Sequence, residues 1–243
     1  MVVSESGHAV DRRLPARRAL VDDVYDAVLA LLMDQVIGPG ERASIDGLAR
    51  ELDVSPTPVR EALTRLEVEG LVVKRALKGY VAAPLLDAAG MRDLYEMRRL
   101  LEPEAARRTA ERAATGVGEQ LATLLDAMRS DGVRAARGAD RYGDYRQFID
   151  EDMHFHHVVA NASGSPLLEE SIVRLRAHMH LYRLNFRHTF VHDTNDEHAA
   201  ILSAVRGRDP EAARVAMLEH IDSSYARISA AASLDADHQE RTP

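Results

Sequence analysis

Residues 48–70, LARELDVSPTPVREALTRLEVEG, decide how the N-terminal part of this 243-residue chain folds. Leu48 and Ala49 close a short apolar helix, Asp53 and Val54 make a turn, and Ser55 stands where a helix N-cap belongs. Pro56 takes the first helical position, where its missing N–H costs nothing and its fixed φ already suits a helix. Val59, Ala62, Leu63 and Leu66 follow at i, i+3, i+4 and i+7, so one face packs inward. Thr57, Arg60 and Thr64 lie on the opposite face and present two hydroxyls and a guanidinium to an outside partner. Such a helix suits the reading of base edges in a DNA major groove.

Working outward, Leu71–Val73 and Tyr80–Ala82 are two short apolar runs flanking Lys74, Arg75, Lys78 and Gly79, the pattern of a β-hairpin wing with a basic tip. Lys74 and Lys78 are the only lysines in the chain, so this positive charge is gathered where a phosphate backbone is met. Upstream, Val24, Val28, Leu31 and Leu32 form a helical stripe that ends before Gly38-Pro39-Gly40. The predicted order is helix, turn, helix, helix, wing. Ser55, Thr57, Arg60, Thr64, Lys78 and Gly79 are the candidate DNA contacts; a winged helix serving only protein contacts is the alternative.

The chain is long enough for two domains, with Pro84–Ala89, PLLDAA, as the natural joint. The absence of cysteine excludes disulfides and thiolate metal sites and suits a reducing cytoplasm. No apolar run is long enough to span a membrane. Arg12, Arg13, Arg17 and Arg18 lie near the start, but Asp11 and the lack of an apolar segment argue against a signal peptide. Residues 1–19 read as a flexible arm, either touching DNA backbone or simply solvated. The formal charge of -8 counts against DNA binding until it is divided. Residues 1–84 hold 11 Lys+Arg against 13 Asp+Glu, so most of the excess lies further on, and local distribution governs phosphate contact.

From Leu85 the pattern is helical throughout, near 88–114, 119–137, 141–162, 166–187, 194–206 and 209–231, with breaks at Gly116, Gly138, Gly164-Ser165-Pro166, Asp193-Thr194 and Gly207-Arg208-Asp209-Pro210. Short connections predict an antiparallel bundle. The expected fold class is mainly α: a winged helix-turn-helix over 20–84, an all-α bundle over 85–232 and a disordered tail over 233–243.

Within the bundle, polar residues sit on apolar stripes. Ile149, Asp152, Met153, His156 and Val159 share one face; His198 aligns with Ile201, Leu202 and Val205; His220 aligns with Ala213, Met217, Ile221 and Ser224. Ionisable groups on converging buried faces need a shared partner. A divalent metal is one such partner: imidazole and carboxylate donors suit Zn first, or Ni, Mn or Fe, and an Asp with three His leaves coordination positions open. The alternative is a packed polar cluster, since nine histidines between 154 and 220 make coincidental spacing easy. His154, His157, His178, His180, His188 and His192 read as surface or pocket-lining residues.

The run IGPGER, then LARELDVSPTPVREALTRLEVEGLV, then a wing ending KGYV resembles the N-terminal winged helix-turn-helix of GntR-family bacterial transcription regulators over about Leu20–Ala83. Pro56 departs from the family, which usually places an arginine directly after the N-cap; this shifts the contact burden to Arg60 and the wing. DMHFHHVVANASGSPLL and EHAAILSAVRGRDPEAARVAMLEHI resemble the metal-containing effector (FCD) domain of the FadR-type branch, with Ser165 where relatives often carry Asn. That resemblance implies metal ligands at Asp152, His156, His198 and His220. It also implies a homodimer on a pseudo-palindromic operator, a small carboxylate effector and repression rather than enzymatic turnover.

Leu94, Arg98, Leu101 and Ala105 follow a stripe that turns Arg98 inward and Arg99 outward. A buried guanidinium wants a carboxylate, either Glu102 one turn on or the effector acid itself. Two rival readings of the polar residues are a regulator for which the ion is the signal and a metal-dependent hydrolase with His157 or Glu151 as base.

Overall fold

The computed structural model describes residues 16–135, 142–175 and 191–240, together with Ala177, His180 and Arg183. Two compact units divide at Ala83/Pro84, with Met33–Val36 grouped with the second. The residues 1–15 and 241–243 of the expected arm and tail lie outside the described residues, as do His178 and His188.

The first unit opens with α1, Ala16–Met33, whose buried face within that unit is Val24, Val28, Leu29 and Leu32. It starts inside the segment assigned above to an arm, because Ala16–Leu20 are good helix formers that lie ahead of the apolar stripe. Ser44 caps α2, Ile45–Glu51, by accepting the Gly47 N–H at 3.3 Å. Asp53 makes the turn at φ 52, and α3, Pro56–Val68, buries Pro58, Val59, Ala62, Leu63 and Leu66. Strand β1, Val72–Arg75, pairs antiparallel with β2, Gly79–Ala82, in the register Val72↔Ala82 to Arg75↔Gly79. The segment IGPGER contributes a further edge: Arg42 bridges to Val81, and the Ala43 N–H donates to Tyr80 O while the Ala82 N–H donates to Glu41 O. The wing is thereby held on one side by the loop that the Gly-Pro-Gly turn creates.

The second unit is helical throughout its described length: α4 (Ala88–Arg112), α5 (Val117–Ala135), α6 (Tyr142–Ala162), α7 (Pro166–Leu175), α8 (Val191–Gly207) and α9 (Pro210–Glu240). Asp87 caps α4 through the Gly90 N–H at 2.8 Å, and Asp209 caps α9 through the Ala212 N–H at 3.0 Å. α9 continues to Glu240, through residues expected to form a tail, since Ala230–Ala232 favour helix and no Gly or Pro interrupts before Pro243. One apolar core runs through the bundle, with Tyr95, Ala106, Leu121, Phe155, Ile201, Ala213 and Ile221 each 0 % exposed. α4 packs chiefly on α9, and α5 on α6, so the inner faces of α4, α6, α8 and α9 meet the same core. Among the described residues no helix is long and apolar enough to cross a membrane.

Candidate functional site

In the winged unit, the outward face of α3 is divided between residues that are engaged and residues that are open. Arg65 forms an ion pair with Asp22 at 2.6 Å and lies 4.2 Å over the Tyr25 ring, so it fastens α3 to α1. Arg60, five residues earlier, is exposed and has no ion-pair partner among the described residues. Ser55 has the extended backbone of an N-cap, φ −72 and ψ 160, yet its hydroxyl makes no capping bond. Pro58 explains this: it occupies the third helical position, where the amide that a cap hydroxyl ordinarily bonds is missing. Ser55 and Thr57 are both exposed at the start of α3. Thr64 is also exposed, but its hydroxyl donates to Arg60 O at 2.8 Å and therefore accepts from Tyr80 Oη at 3.1 Å, tying α3 to the wing. Lys74, Arg75, Lys78 and Gly79 are exposed at the wing tip, with Lys74 Nζ 5.8 Å from the Tyr80 ring.

In the helical unit, three histidines from three helices converge. His156 of α6, His198 of α8 and His220 of α9 are buried, and each offers a ring nitrogen within 4.8 Å of the other two. His198 Nε2 is 3.3 Å from His156 Nε2, and Phe155 stacks on the His198 ring at 4.3 Å. Asp152, one turn before His156, places Oδ1 3.5 Å from His198 Nε2 and 3.9 Å from His156 Nε2. Edges of about 3.3–3.4 Å are what tetrahedral bonds of about 2.0–2.1 Å produce.

Two carboxylates on the far side of the cluster set the tautomers. Glu102 Oε2 lies 2.7 Å from His156 Nδ1, and Glu197 Oε2 lies 2.9 Å from His220 Nδ1. Each carboxylate is held by an arginine: Arg98 Nε meets Glu102 Oε1 at 2.6 Å, and Arg227 pairs with Glu197 through both terminal nitrogens, Nη2 at 2.9 Å. Burial pushes the Glu102 carboxyl up, but the Arg98 guanidinium and His156 more than offset it and hold it well below the usual carboxylate range. Burial likewise opposes ionisation of Glu197, and Arg227 and His220 bring it below its ordinary value. Both carboxylates are therefore anions that require a proton on the facing Nδ1, which leaves each Nε2 with a lone pair directed away from them. Burial lowers the His220 pKa, and the Glu197 hydrogen bond opposes this only in part. Unprotonated Nε2 atoms and the Asp152 carboxylate crowd together with few protons to share, a donor set suited to a cation.

Sequence reasoning identified Glu102 as a partner for Arg98, but Glu102 also orients His156, so one carboxylate links the two candidate sites. Arg98 uses Nε and Nη2 on Glu102; Nη1 takes no part in the pair. Arg99 turns outward to Asp222 at 2.6 Å. His154 and His157 are exposed, and His157 bonds Glu169 at 2.9 Å. His180 is half-buried, and the side chain of His192 lies outside the described ones, as do Met179, Tyr182 and Asn185. Ser165 directly precedes Pro166 and accepts the Glu169 N–H at 3.0 Å, so the departure there falls at the start of α7. Glu197, Arg227 and Asn195 escaped sequence reasoning. Asn195 is buried three residues before His198, and its Oδ1 has no hydrogen-bond partner among the described residues. Glu197 directly precedes His198 and was available as a signal only by virtue of that adjacency.

Residues 13–81 match the family described as bacterial regulatory proteins, gntR family, and residues 93–223 match the FCD domain. The chain is 31% identical over 194 residues to the Nta operon transcriptional regulator of Aminobacter aminovorans, covering 78% of this chain and 85% of the relative. It is 27% identical over 242 residues to the HTH-type transcriptional repressor NanR of Salmonella arizonae, covering 89% and 87% respectively. A transcriptional regulator structure from Rhodococcus sp. RHA1 is similar with a TM-score of 0.64 and 25% identity, covering 88% of this chain and 99% of that one. With an exposed reading helix and basic wing ahead of a bundle that matches the FCD domain, this chain belongs to the GntR family of DNA-binding transcriptional regulators.

Proposed function

We propose that this regulator is a cytoplasmic repressor that binds a pseudo-palindromic operator as a homodimer and releases it when its FCD domain takes up a small organic acid. The observation that carries the effector reading is the continuous buried path Arg98–Glu102–His156, which joins a guanidinium to the histidine cluster through one carboxylate. Asp152, His156, His198 and His220 would hold a divalent ion, Zn foremost, with Ni, Mn or Fe as substitutes. Such an ion supplies a Lewis-acidic anchor for a carboxylate. Glu102 and Glu197 keep the His156 and His220 rings in one tautomer and one orientation. Arg98 Nη1 supplies a charged donor to the acid, and Asn195 Oδ1 accepts from a hydroxyl on it.

Operator affinity changes because half-sites on DNA have a fixed spacing, so two winged units bind well only when the dimer spaces them correctly. An effector that prefers one arrangement by about 1.4 kcal/mol changes operator affinity tenfold. Ser55, Thr57 and Arg60 read the major groove, Thr64 fixes the wing against α3, and Lys78 and Gly79 meet the backbone.

A thermal-shift screen of purified protein, before and after chelation, against small mono- and dicarboxylates and sugar acids tests this. An acid at 100 times its Kd should add about 2.7 kcal/mol to the folded state, and chelation should abolish the gain. A second reading, with the ion itself as signal, is favoured by the closure of the cluster: His156, His198 and His220 are 3 %, 0 % and 4 % exposed. DNA binding that switches on metal removal and return, with no acid producing a shift, would establish that reading instead.

A further inference from the structure

Four arginines of α4 hold carboxylates: Arg98 pairs with Glu102, Arg99 with Asp222, and Arg107 and Arg108 share Glu104. Arg112, the last residue of that helix, has no hydrogen bond or ion pair among the described residues. It is nevertheless seated. Its guanidinium fills the space beside Gly164 where a side chain would begin, so that a Cβ there would stand 2.3 Å from Arg112 Cζ. Gly164 turns at φ 70 between α6 and α7, and the same glycine leaves the bed on which the guanidinium lies. A charge positioned in this way and left unpaired is preorganised for a partner. Arg112 borders a cleft of about 430 Å³ between the end of α4, the start of α5 and the outward face of α6, within the range of about 300–1,000 Å³ common to small-molecule sites. Gln120 of α5 and His154 of α6 line the same cleft, both exposed and without a hydrogen-bond partner among the described residues. Asn161 lines it too, with its amide nitrogen committed to Glu169 at 3.1 Å. No carboxylate belongs to the lining. A guanidinium, an amide and an imidazole are therefore offered to one space by three different helices.

We propose that this cleft is a second ligand site, separate from the histidine cluster, for a small phosphate monoester. A phosphoryl group has three free oxygens and serves donors arriving from three directions, whereas a carboxylate offers two oxygens in one plane. Arg112 supplies the charge and a fork of N–H groups, and Gln120 and His154 donate to the remaining oxygens. The cleft is larger than a bare phosphate needs, and the rest of it takes the organic part of the ester against Val117 and Val158. Asn161 Oδ1 accepts from a hydroxyl there. The inference goes beyond the effector reading and does not depend on it: His154 and Asn161 lie on the exposed side of α6, Asp152 and His156 on its buried side, and the two sites share no residue.

Isothermal titration calorimetry and thermal shift of the full-length protein in phosphate-free buffer, with glycerol 3-phosphate, inorganic phosphate and acetate as probes, test the site. Glycerol 3-phosphate should bind tightest of the three, with the same Kd before and after treatment with a chelator and dialysis. Arg112→Gln removes no ion pair, so it should melt with wild type, yet bind the ester about tenfold more weakly. Gln120→Ala, which deletes a neutral donor, should weaken it about threefold. Arg112→Lys keeps the charge without the fork and should fall between wild type and Arg112→Gln. An organic acid whose binding needs the ion should keep its Kd in Arg112→Gln, which separates this site from the effector reading. Neither heat nor a thermal shift with glycerol 3-phosphate would overturn the proposal, as would an Arg112→Gln Kd within about twofold of wild type. Inorganic phosphate binding as tightly as the ester would overturn it by leaving the organic part no role. Loss of ester binding on chelation would overturn it by placing the anion at the histidine cluster.

Discussion

The winged unit and the helical unit treat charge in opposite ways. On α3 and the wing, Arg60, Lys74, Arg75 and Lys78 are exposed, and the residues beneath them serve to hold the scaffold: Arg65 on Asp22, Thr64 on Tyr80. In the helical unit, charged groups turn inward and satisfy one another in chains, Arg98–Glu102–His156 on one side and Arg227–Glu197–His220 on the other. A surface that must neutralise phosphates keeps its cations uncommitted. A buried polar site must offset the desolvation of every member, and each carboxylate here serves an arginine and a histidine together. Damage should consequently appear as lost binding in one unit and lost stability in the other.

The largest effect is expected inside. Glu102→Gln leaves the Arg98 guanidinium buried opposite a neutral amide, and breaking a buried pair in this way costs about 3–5 kcal/mol. Urea denaturation followed by far-UV circular dichroism should show that loss; a cost under about 1 kcal/mol would mean that the inner chain behaves like a surface pair. Next comes Arg60→Ala, which should weaken binding to a selected duplex by about 1–3 kcal/mol while leaving the melting temperature unchanged. Fluorescence anisotropy with selected and random duplexes in parallel checks this, and an equal loss on both would remove Arg60 from base reading.

Tyr80→Phe deletes the hydrogen bond between wing and recognition helix and should cost about 0.5–1.5 kcal/mol of stability, measured by denaturation of the full chain. It is the one substitution of this group expected to weaken DNA binding as well, because the wing loses its fixed position beside α3.

The smallest effect belongs to Glu104, on the outer face of α4, which bonds Arg107 at 2.8 Å and Arg108 at 2.6 Å. Those hydrogen bonds hold its carboxyl at about 2, against an ordinary value of 4.5. A depressed carboxylate stabilises the fold fully above the ordinary value, and the contribution fades as pH falls from there toward about 2. Glu104 is 36% exposed, so solvent screening limits the gain to about 0.2–1 kcal/mol. The stability gap between wild type and Glu104→Gln should be flat above pH 5 and close on acidification; a gap that persists in acid would assign it to packing.

The two units also differ in how much of them a sequence discloses. Helical phase alone selected Val59, Ala62, Leu63 and Leu66 as the inner face of α3, and all four are 0 % exposed. Phase also aligned His156, His198 and His220 with apolar stripes, because each shares its helix face with core residues. Contacts that depend on how neighbouring helices rotate against one another left no periodic trace. Glu197 of α8 meets His220 and Arg227 of α9, and neither helix's own spacing announces the meeting. The edge contributed by Glu41–Ala43 was hidden for a related reason: a bridge of this length has no alternation to detect, and only its pairing with β2 defines it. Thr64 faces outward as its spacing required, yet its hydroxyl is taken up by Tyr80, sixteen residues on.

The confinement of both lysines to the wing makes side-chain amines a built-in address on this molecule. An acylating reagent that spares arginine reaches Lys74 and Lys78 and no other side-chain amine, so every adduct it leaves there lies in the segment expected to touch DNA. Mass spectrometry of unmodified wild-type protein, labelled with and without a duplex, therefore footprints the wing at two side-chain positions, with the α-amino group as an internal reference.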